Sequence, residues 1–72
     1  AQINFSLETA GQLNIEVYNL SGQMVDQIAS EQFSKGNHSI NWTPAQNLPA
    51  GMYIIRMNTQ NQYYNSKVLL NR

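Results

Sequence analysis

The chain has 72 residues, with four basic and four acidic side chains, one His and no Cys. This length suits one small domain, because a second core would need about 50 further residues, and the absence of Cys excludes disulfides and thiolate metal sites. A net charge of zero argues against a nucleic-acid or anionic-membrane partner. No apolar run approaches the roughly 20 residues of a transmembrane helix.

Apolar and polar residues alternate through the first half of the chain. Residues 3–7 and residues 13–17 each alternate, which predicts two strands joined as a hairpin at residues 10–11. Residues 19–22 make a turn, in which Gly22 can adopt positive φ. A weaker strand begins at Met24 and ends near Phe33. Residues 38–42 alternate again as far as Trp42, after a turn that contains Gly36.

The second half begins with Pro44, which ends the preceding strand because it has no N–H for a ladder. Residues 44–50 form a loop, and residues 52–57 are apolar on both faces, which predicts a central strand covered on both sides. Residues 58–62 form the tip of a last hairpin. The adjacent Tyr63 and Tyr64 should point to opposite faces, with one of them outside. They open the final strand, which runs through residues 68–70 to Arg72.

No segment of helical length has apolar residues at i, i+3, i+4 and i+7. We therefore expect an all-β fold, an immunoglobulin-like β-sandwich of about six or seven short antiparallel strands that forms one domain over residues 1–72. One sheet should have three strands and the other three or four. The expected core is Phe5, Leu7, Leu13, Ile15, Val17, Ile28, Ile40, Trp42, Tyr53, Ile55, Val68 and Leu70.

Residues able to carry out chemistry are few and scattered. The carboxylates Glu8, Glu16, Asp26 and Glu31 form no close pair in the sequence. A lone His38 is more typical of a turn or core-edge residue than of a metal site. Ser21, Asp26 and His38 supply the residue types of a triad, but no strand–elbow–helix pattern supports one. We expect no catalytic site, cofactor or metal, so the chain is not predicted to be an enzyme.

Four sequence blocks occur in a fixed order along nearly the whole chain. Residues 15–25 read apolar-x-apolar-Tyr-Asn-x-x-Gly-x-x-Val. The other three blocks are Gly36 with His38, Ile40 and Trp42, then Leu48 with Gly51 and Tyr53, and finally Lys67 with Val68, Leu69 and Leu70. With these blocks the chain resembles the type A C-terminal sorting domain of the type IX (Por) secretion system of Bacteroidota.

The resemblance implies a tail that directs an N-terminal cargo protein, an enzyme or adhesin, across the outer membrane. The type IX translocon would read the folded tail, and a sortase-like protease would then remove it, leaving the cargo released or attached to an anionic lipopolysaccharide. The protein would pass through the periplasm and end at the cell surface or outside the cell. By this resemblance the sorting motif is Lys67, Val68, Leu69, Leu70 and Arg72, and the structural motif is Gly22, Gly36, Trp42, Gly51 and Tyr53.

Two departures from the family pattern are visible. The Asn-Pro pair that often precedes the first strand is absent, and Thr43 stands where an acidic residue commonly follows the tryptophan. If the last strand lies at a sheet edge, its free backbone groups could pair with a strand of the translocon, with Lys67 and Arg72 flanking the pairing segment. Open edges would also allow self-association.

Two other functions fit the same fold. A carbohydrate- or protein-binding module would show a solvent-facing aromatic row, such as Tyr18 with Tyr63 or Tyr64. A spacer would hold a catalytic domain away from the cell surface and would need no such row.

Overall fold

The computed structural model describes residues 2–59 and 62–71. Within these residues the chain forms strands and turns, with no helix. The strands are β1 (Gln2–Leu7), β2 (Gly11–Tyr18), β3 (Met24–Phe33), β4 (Gly36–Asn41), β5 (Gly51–Asn58) and β6 (Tyr63–Leu70). The part of the chain described here contains no helix with the length and hydropathy needed to cross a membrane.

The strands form two antiparallel sheets, which confirms the expected all-β class. The smaller sheet contains β1 and β4, and the larger has the order β3-β2-β5-β6. Sheets of two and four strands replace the expected division into three and three or four. Each sheet has an apolar face, and the buried residues of both form one core, as a sandwich requires.

The predicted hairpin of β1 with β2 is wrong. β1 pairs with β4, so that Ile3 lies opposite Ile40, whereas β2 pairs with β3 and β5. Alternation shows which residues of a strand share a face but not which strand lies beside it. Residues 8–10 therefore carry the chain from one sheet to the other. This crossing lets the apolar faces of β1 and β2 cover each other across the core.

The core contains most of the residues expected from alternation. Among the described residues seven side chains are buried, namely Ile3, Leu13, Ile15, Val17, Trp42, Tyr53 and Ile55, and of these only Ile3 was absent from the expected set. The remaining expected residues are partly buried against this cluster: Phe5, Leu7, Ile28, Ile40, Val68 and Leu70. Trp42 follows the last residue of β4 rather than lying within the strand, yet it is only 3% exposed.

β5 is a central strand, as predicted, but its two faces differ in cover. Tyr53 and Ile55 face the core and are 4% and 5% exposed. On the other face Met52 is 38% exposed and Ile54 is half-buried. The expectation that both faces of β5 are covered is therefore correct for the core face only. The apolar residues on its other face form a partly exposed outer surface.

The turn between β2 and β3 is held by an asparagine side chain. Asn19 Oδ1 accepts hydrogen bonds from the backbone N–H groups of Ser21 and Gln23, each at 3.0 Å. Gly22 has φ of 89°, a value that favours glycine because it lacks Cβ. The predicted turn and its glycine are confirmed, and the turn returns the chain from β2 to β3 at the edge of the sheet.

Candidate functional site

β6 forms one edge of the four-stranded sheet and pairs only with β5 among the described strands. Val68 lies opposite Tyr53, and Lys67 lies opposite Ile54. Directly opposed residues of antiparallel strands share a face, so Val68 faces the core and Lys67 faces outward. By the same alternation Leu70 belongs to the core face and Leu69 to the outer face.

The outward half of this segment lies in an apolar surface. Leu69 is 57% exposed and is paired with Met52, which is also exposed, and Ile54 lies opposite Lys67. We call Met52, Ile54 and Leu69 the outer patch. Large exposed side chains grouped beside a cation are typical of a protein-contact surface. The outer patch and Lys67 therefore form one candidate recognition surface at the open edge.

A second group on the same outer face is polar and internally connected. The Arg56 guanidinium lies over the Tyr18 ring at 4.9 Å and over the Tyr63 ring at 5.6 Å from the centroids. Arg56 Nε also donates to Asn65 Oδ1 at 3.2 Å. One face of each tyrosine ring is thus in contact with Arg56, and the aromatic row expected of a binding module is built around a cation rather than left open for a sugar.

Glu16 connects this group to the neighbouring strands. Its Oε1 accepts hydrogen bonds from the Tyr18 hydroxyl at 2.9 Å and from Asn58 Nδ2 at 3.2 Å. The hydrogen bond to Glu16, aided by desolvation, raises the pKa of Tyr18 above its ordinary value of 10.0, although Arg56 acts in the opposite direction. The phenol is therefore held in its protonated, donating form.

The adjacent tyrosines at the start of β6 point to opposite faces, as predicted. Tyr63 lies with Arg56 on the outer face, and Tyr64, opposite Met57, lies on the core face. Tyr63 and Tyr64 are 66% and 57% exposed. Both are therefore outside, where the sequence indicated only one, and Tyr64 is exposed although it lies on the side of the core.

The residues of the expected structural motif lie at the ends of strands and in the core. The Tyr53 hydroxyl donates to the Pro49 carbonyl at 2.6 Å, which ties this side chain to the loop before β5. Trp42 packs edge-on against Tyr53 at 6.5 Å and donates from Nε1 to Asp26 Oδ2 at 2.8 Å. Gly36 and Gly51 are the first residues of β4 and β5, and both have positive φ.

The residues considered for catalysis have structural partners. His38 Nε2 donates to the Ser34 carbonyl at 2.7 Å, and the ring stacks on Phe5 at 5.3 Å. Asp26 accepts from Trp42 and from its neighbour's backbone N–H. Among residues 2–59 and 62–71 there is no group of three or more His, Cys, Asp or Glu side chains able to hold a metal ion. Of the expected sorting motif, Arg72 lies outside the described residues.

Sequence reasoning did not single out Met52, Ile54 or Arg56 as surface residues. Their signal was present, since each alternates with a core residue of β5. The apolar character of Met52 and Ile54 instead suggested burial. A strand with apolar residues on both faces has the same sequence pattern whether both faces are covered or only one.

The fold defines a class of protein: a small all-β domain built from two antiparallel sheets. The family model described as the secretion system C-terminal sorting domain matches residues 1–71. The chain belongs to this family, which confirms the resemblance seen in its sequence blocks. Its members are signals for type IX secretion and are not known as enzymes. No curated protein and no solved structure matches the chain.

Proposed function

We propose that this chain forms a single C-terminal sorting domain that carries an attached cargo protein through the type IX translocon of the outer membrane. Family membership supports export and attachment to an N-terminal cargo. The observation that carries the proposed mechanism is the position of β6, whose residues 67–70 lie at the open edge of the larger sheet.

The open edge supplies the binding mode. A strand with no neighbour on one side presents unpaired backbone N–H and C=O groups, which an extended segment of another protein can join. In our proposal a strand of the translocon pairs with β6. Backbone pairing of this kind depends little on side chains, so it suits a signal that serves cargoes of different sequence.

The outward side chains supply the specificity. Lys67 and Leu69 face away from the core beside Met52 and Ile54. An apolar contact with Leu69 and the outer patch, together with an anionic group near Lys67, would distinguish this edge from others. Val68 and Leu70 would act indirectly by holding β6 against the core.

The later steps follow the family expectation. We propose that a sortase-like protease removes the tail after passage across the outer membrane and that the cargo is then released or attached to an anionic lipopolysaccharide. The protein is in the periplasm during transit and at the cell surface or outside the cell at the end.

The test is an export assay in a type IX-competent cell with a periplasmically exported reporter fused in front of residue 1. We expect the full tail to bring the reporter to the surface and removal of residues 67–72 to leave it in the periplasm. A Leu69→Ser variant should reduce export, whereas Leu20→Ser, at an exposed leucine in the β2–β3 turn, serves as the matched control. Unchanged export of the truncated protein would refute the proposal.

A further inference from the structure

The outer face of the larger sheet carries apolar side chains that the sandwich does not cover. An antiparallel sheet with one face in water usually exposes polar residues on that face. Here Met24, Tyr18 and Ile54 occupy neighbouring positions on β3, β2 and β5, because Tyr18 lies opposite both of the others. Met24 is 54% exposed, and the other two are half-buried. Apolar side chains grouped in this way are typical of a surface that contacts another protein.

A row of polar residues crosses the sheet beside this apolar group. Glu16 and Arg56 stand at its centre, directly opposite each other on β2 and β5, and Gln27 and Asn65 stand at its two ends. Within the described chain, the two opposite charges form no ion pair with each other. Glu16 uses Oε1 for both of its hydrogen bonds, and Arg56 donates to Asn65 from Nε. The second carboxylate oxygen and the terminal guanidinium nitrogens can therefore serve a partner.

The positions of these residues on the two central strands make the outer face complementary to itself. A two-fold axis parallel to the strands, between β2 and β5, sets the outer faces of two copies against each other with β2 over β5. Each Glu16 then faces the Arg56 of the other copy, and each Tyr18 faces the other Ile54. An axis across the strands would set Glu16 against Glu16 and Arg56 against Arg56. The charges select the first arrangement, since like charges in contact oppose association.

We propose that the outer face of the larger sheet is an interface between two copies of this chain, packed face to face about this axis. Two ion pairs between Glu16 and Arg56 lie at its centre, flanked by the apolar contacts of Tyr18 with Ile54. Sheets packed with aligned strands lie about 10 Å apart, a separation that a glutamate and an arginine can span together. Such sheets cross at about 30°, so the residues nearest the axis keep their partners most closely.

The rest of the molecule leaves this face accessible to a second copy. β1, which follows the cargo in our proposed function, belongs to the smaller sheet on the opposite side of the core. An attached cargo therefore does not have to lie between the two copies. β6 keeps its open edge, because the copies meet through a face of the sheet and not through its edges. The chain has zero net charge, so no overall repulsion opposes the pairing of two copies.

Two charge variants of the cargo–tail protein test the interface by sedimentation velocity. Glu16→Arg and Arg56→Glu each give a copy whose two central charges are alike, so we expect each variant alone to self-associate at least about tenfold more weakly than the parent. Mixed together, the two variants restore both ion pairs and should form a heterodimer. Leu20→Ser, at an exposed leucine in the β2–β3 turn, is the control and should associate like the parent. A parent that stays monomeric at about 0.1 mM, single variants that associate like the parent, or a mixture without heterodimer would each overturn the inference.

Cross-linking keeps the test decisive if the charge variants fail to fold. The chain has no Cys, so a Met24→Cys, Lys67→Cys protein with a cysteine-free cargo carries two thiols, one on each edge strand of the larger sheet. Within one copy three strand spacings of about 4.8 Å separate them, whereas the two-fold axis sets each thiol opposite the other one in the second copy. A short bismaleimide should therefore join two copies. A Met24→Cys, Asn4→Cys protein, whose second thiol lies on the smaller sheet, is the control and should stay unjoined. Equal cross-linking of the two proteins, or none in the first, would overturn the inference.

Discussion

At the scale of single residues, the core is tied to its surroundings by polar groups at the ends of aromatic side chains. Trp42 and Tyr53 are both buried, and each places its donor on an oxygen of a neighbouring segment. Large aromatics give a small core much of its apolar area, and their polar ends need partners. These two hydrogen bonds fix the segment after β4 and the loop before β5.

Replacing Asp26 tests the first of these hydrogen bonds. Asp26→Ala removes the acceptor of the Trp42 indole and of the Gln27 N–H, so we expect a loss of about 1–3 kcal/mol in the free energy of unfolding. Asp26→Asn keeps one oxygen acceptor and should lose less. Urea unfolding followed by Trp42 fluorescence measures both. Equal stability of Asp26→Ala and the parent chain would contradict the prediction.

The Tyr18 phenol predicts a pH dependence at the alkaline end. Its pKa is raised in the folded protein by the hydrogen bond to Glu16. A raised pKa means that the stabilisation is fully present below the unfolded value of about 10 and is lost as pH rises through the folded value. In an ultraviolet titration, Tyr18 should therefore ionise at higher pH in the parent chain than in a Glu16→Gln variant. The Tyr18→Phe variant identifies which part of the tyrosine signal belongs to Tyr18. Coincident titrations would show that Glu16 has no such effect.

At the scale of elements, β6 separates its four motif residues onto two faces. Val68 and Leu70 pack against the core, whereas Lys67 and Leu69 face outward. One short segment therefore combines residues that hold the strand in place with residues available to a partner. In the sequence these four positions form one block. Alternation separates them into two sets, but which set faces the core is known only once the strand is placed in a sheet.

The division predicts two classes of variant in β6. Val68→Ala should lower the free energy of unfolding by about 1 kcal/mol, since it removes partly buried methyl groups. Lys67→Ala and Leu69→Ala should leave stability within about 0.5 kcal/mol of the parent and should reduce export. Thermal unfolding and the reporter assay are measured on the same fusion proteins. Export lost only in proportion to stability would show that β6 has no direct recognition role.

The elements also show how far the sequence could be read. Periodicity placed every strand to within a few residues, because alternating apolar side chains must share one buried face. Periodicity could not predict the pairing, because β1 joins β4 across a long stretch of sequence, as in the pair Ile3 and Ile40. A local turn such as residues 10–11 resembles a hairpin whether the chain stays in one sheet or crosses to the other. The sequence blocks identified the family, but the open edges emerged only from the strand order.

At the scale of the whole molecule, the sandwich depends on pairings between distant segments. The smaller sheet joins the start of the chain to its middle, and β2 reaches β5 across the intervening strands β3 and β4. Such pairings require large loops to close before contacts form, and loop closure carries an entropic cost. We therefore expect this fold to form through contacts between distant segments rather than from local units that fold first.

This topology predicts slow refolding for so short a chain. We expect the cargo–tail protein to regain the buried state of Trp42 in about milliseconds to seconds, the range of all-β domains dominated by non-local pairing. Stopped-flow fluorescence after dilution from urea measures the rate, with a Trp42→Phe variant as the control for signal from the cargo. Recovery within microseconds would contradict the prediction.

The split of β6 into inward and outward residues also constrains how the tail can evolve. Insertion or deletion of one residue within the strand would exchange the two sets, turning Lys67 toward the aliphatic interior and Val68 toward water. Changes of two residues would preserve both sets. Gaps within this strand among natural variants should therefore come in even numbers.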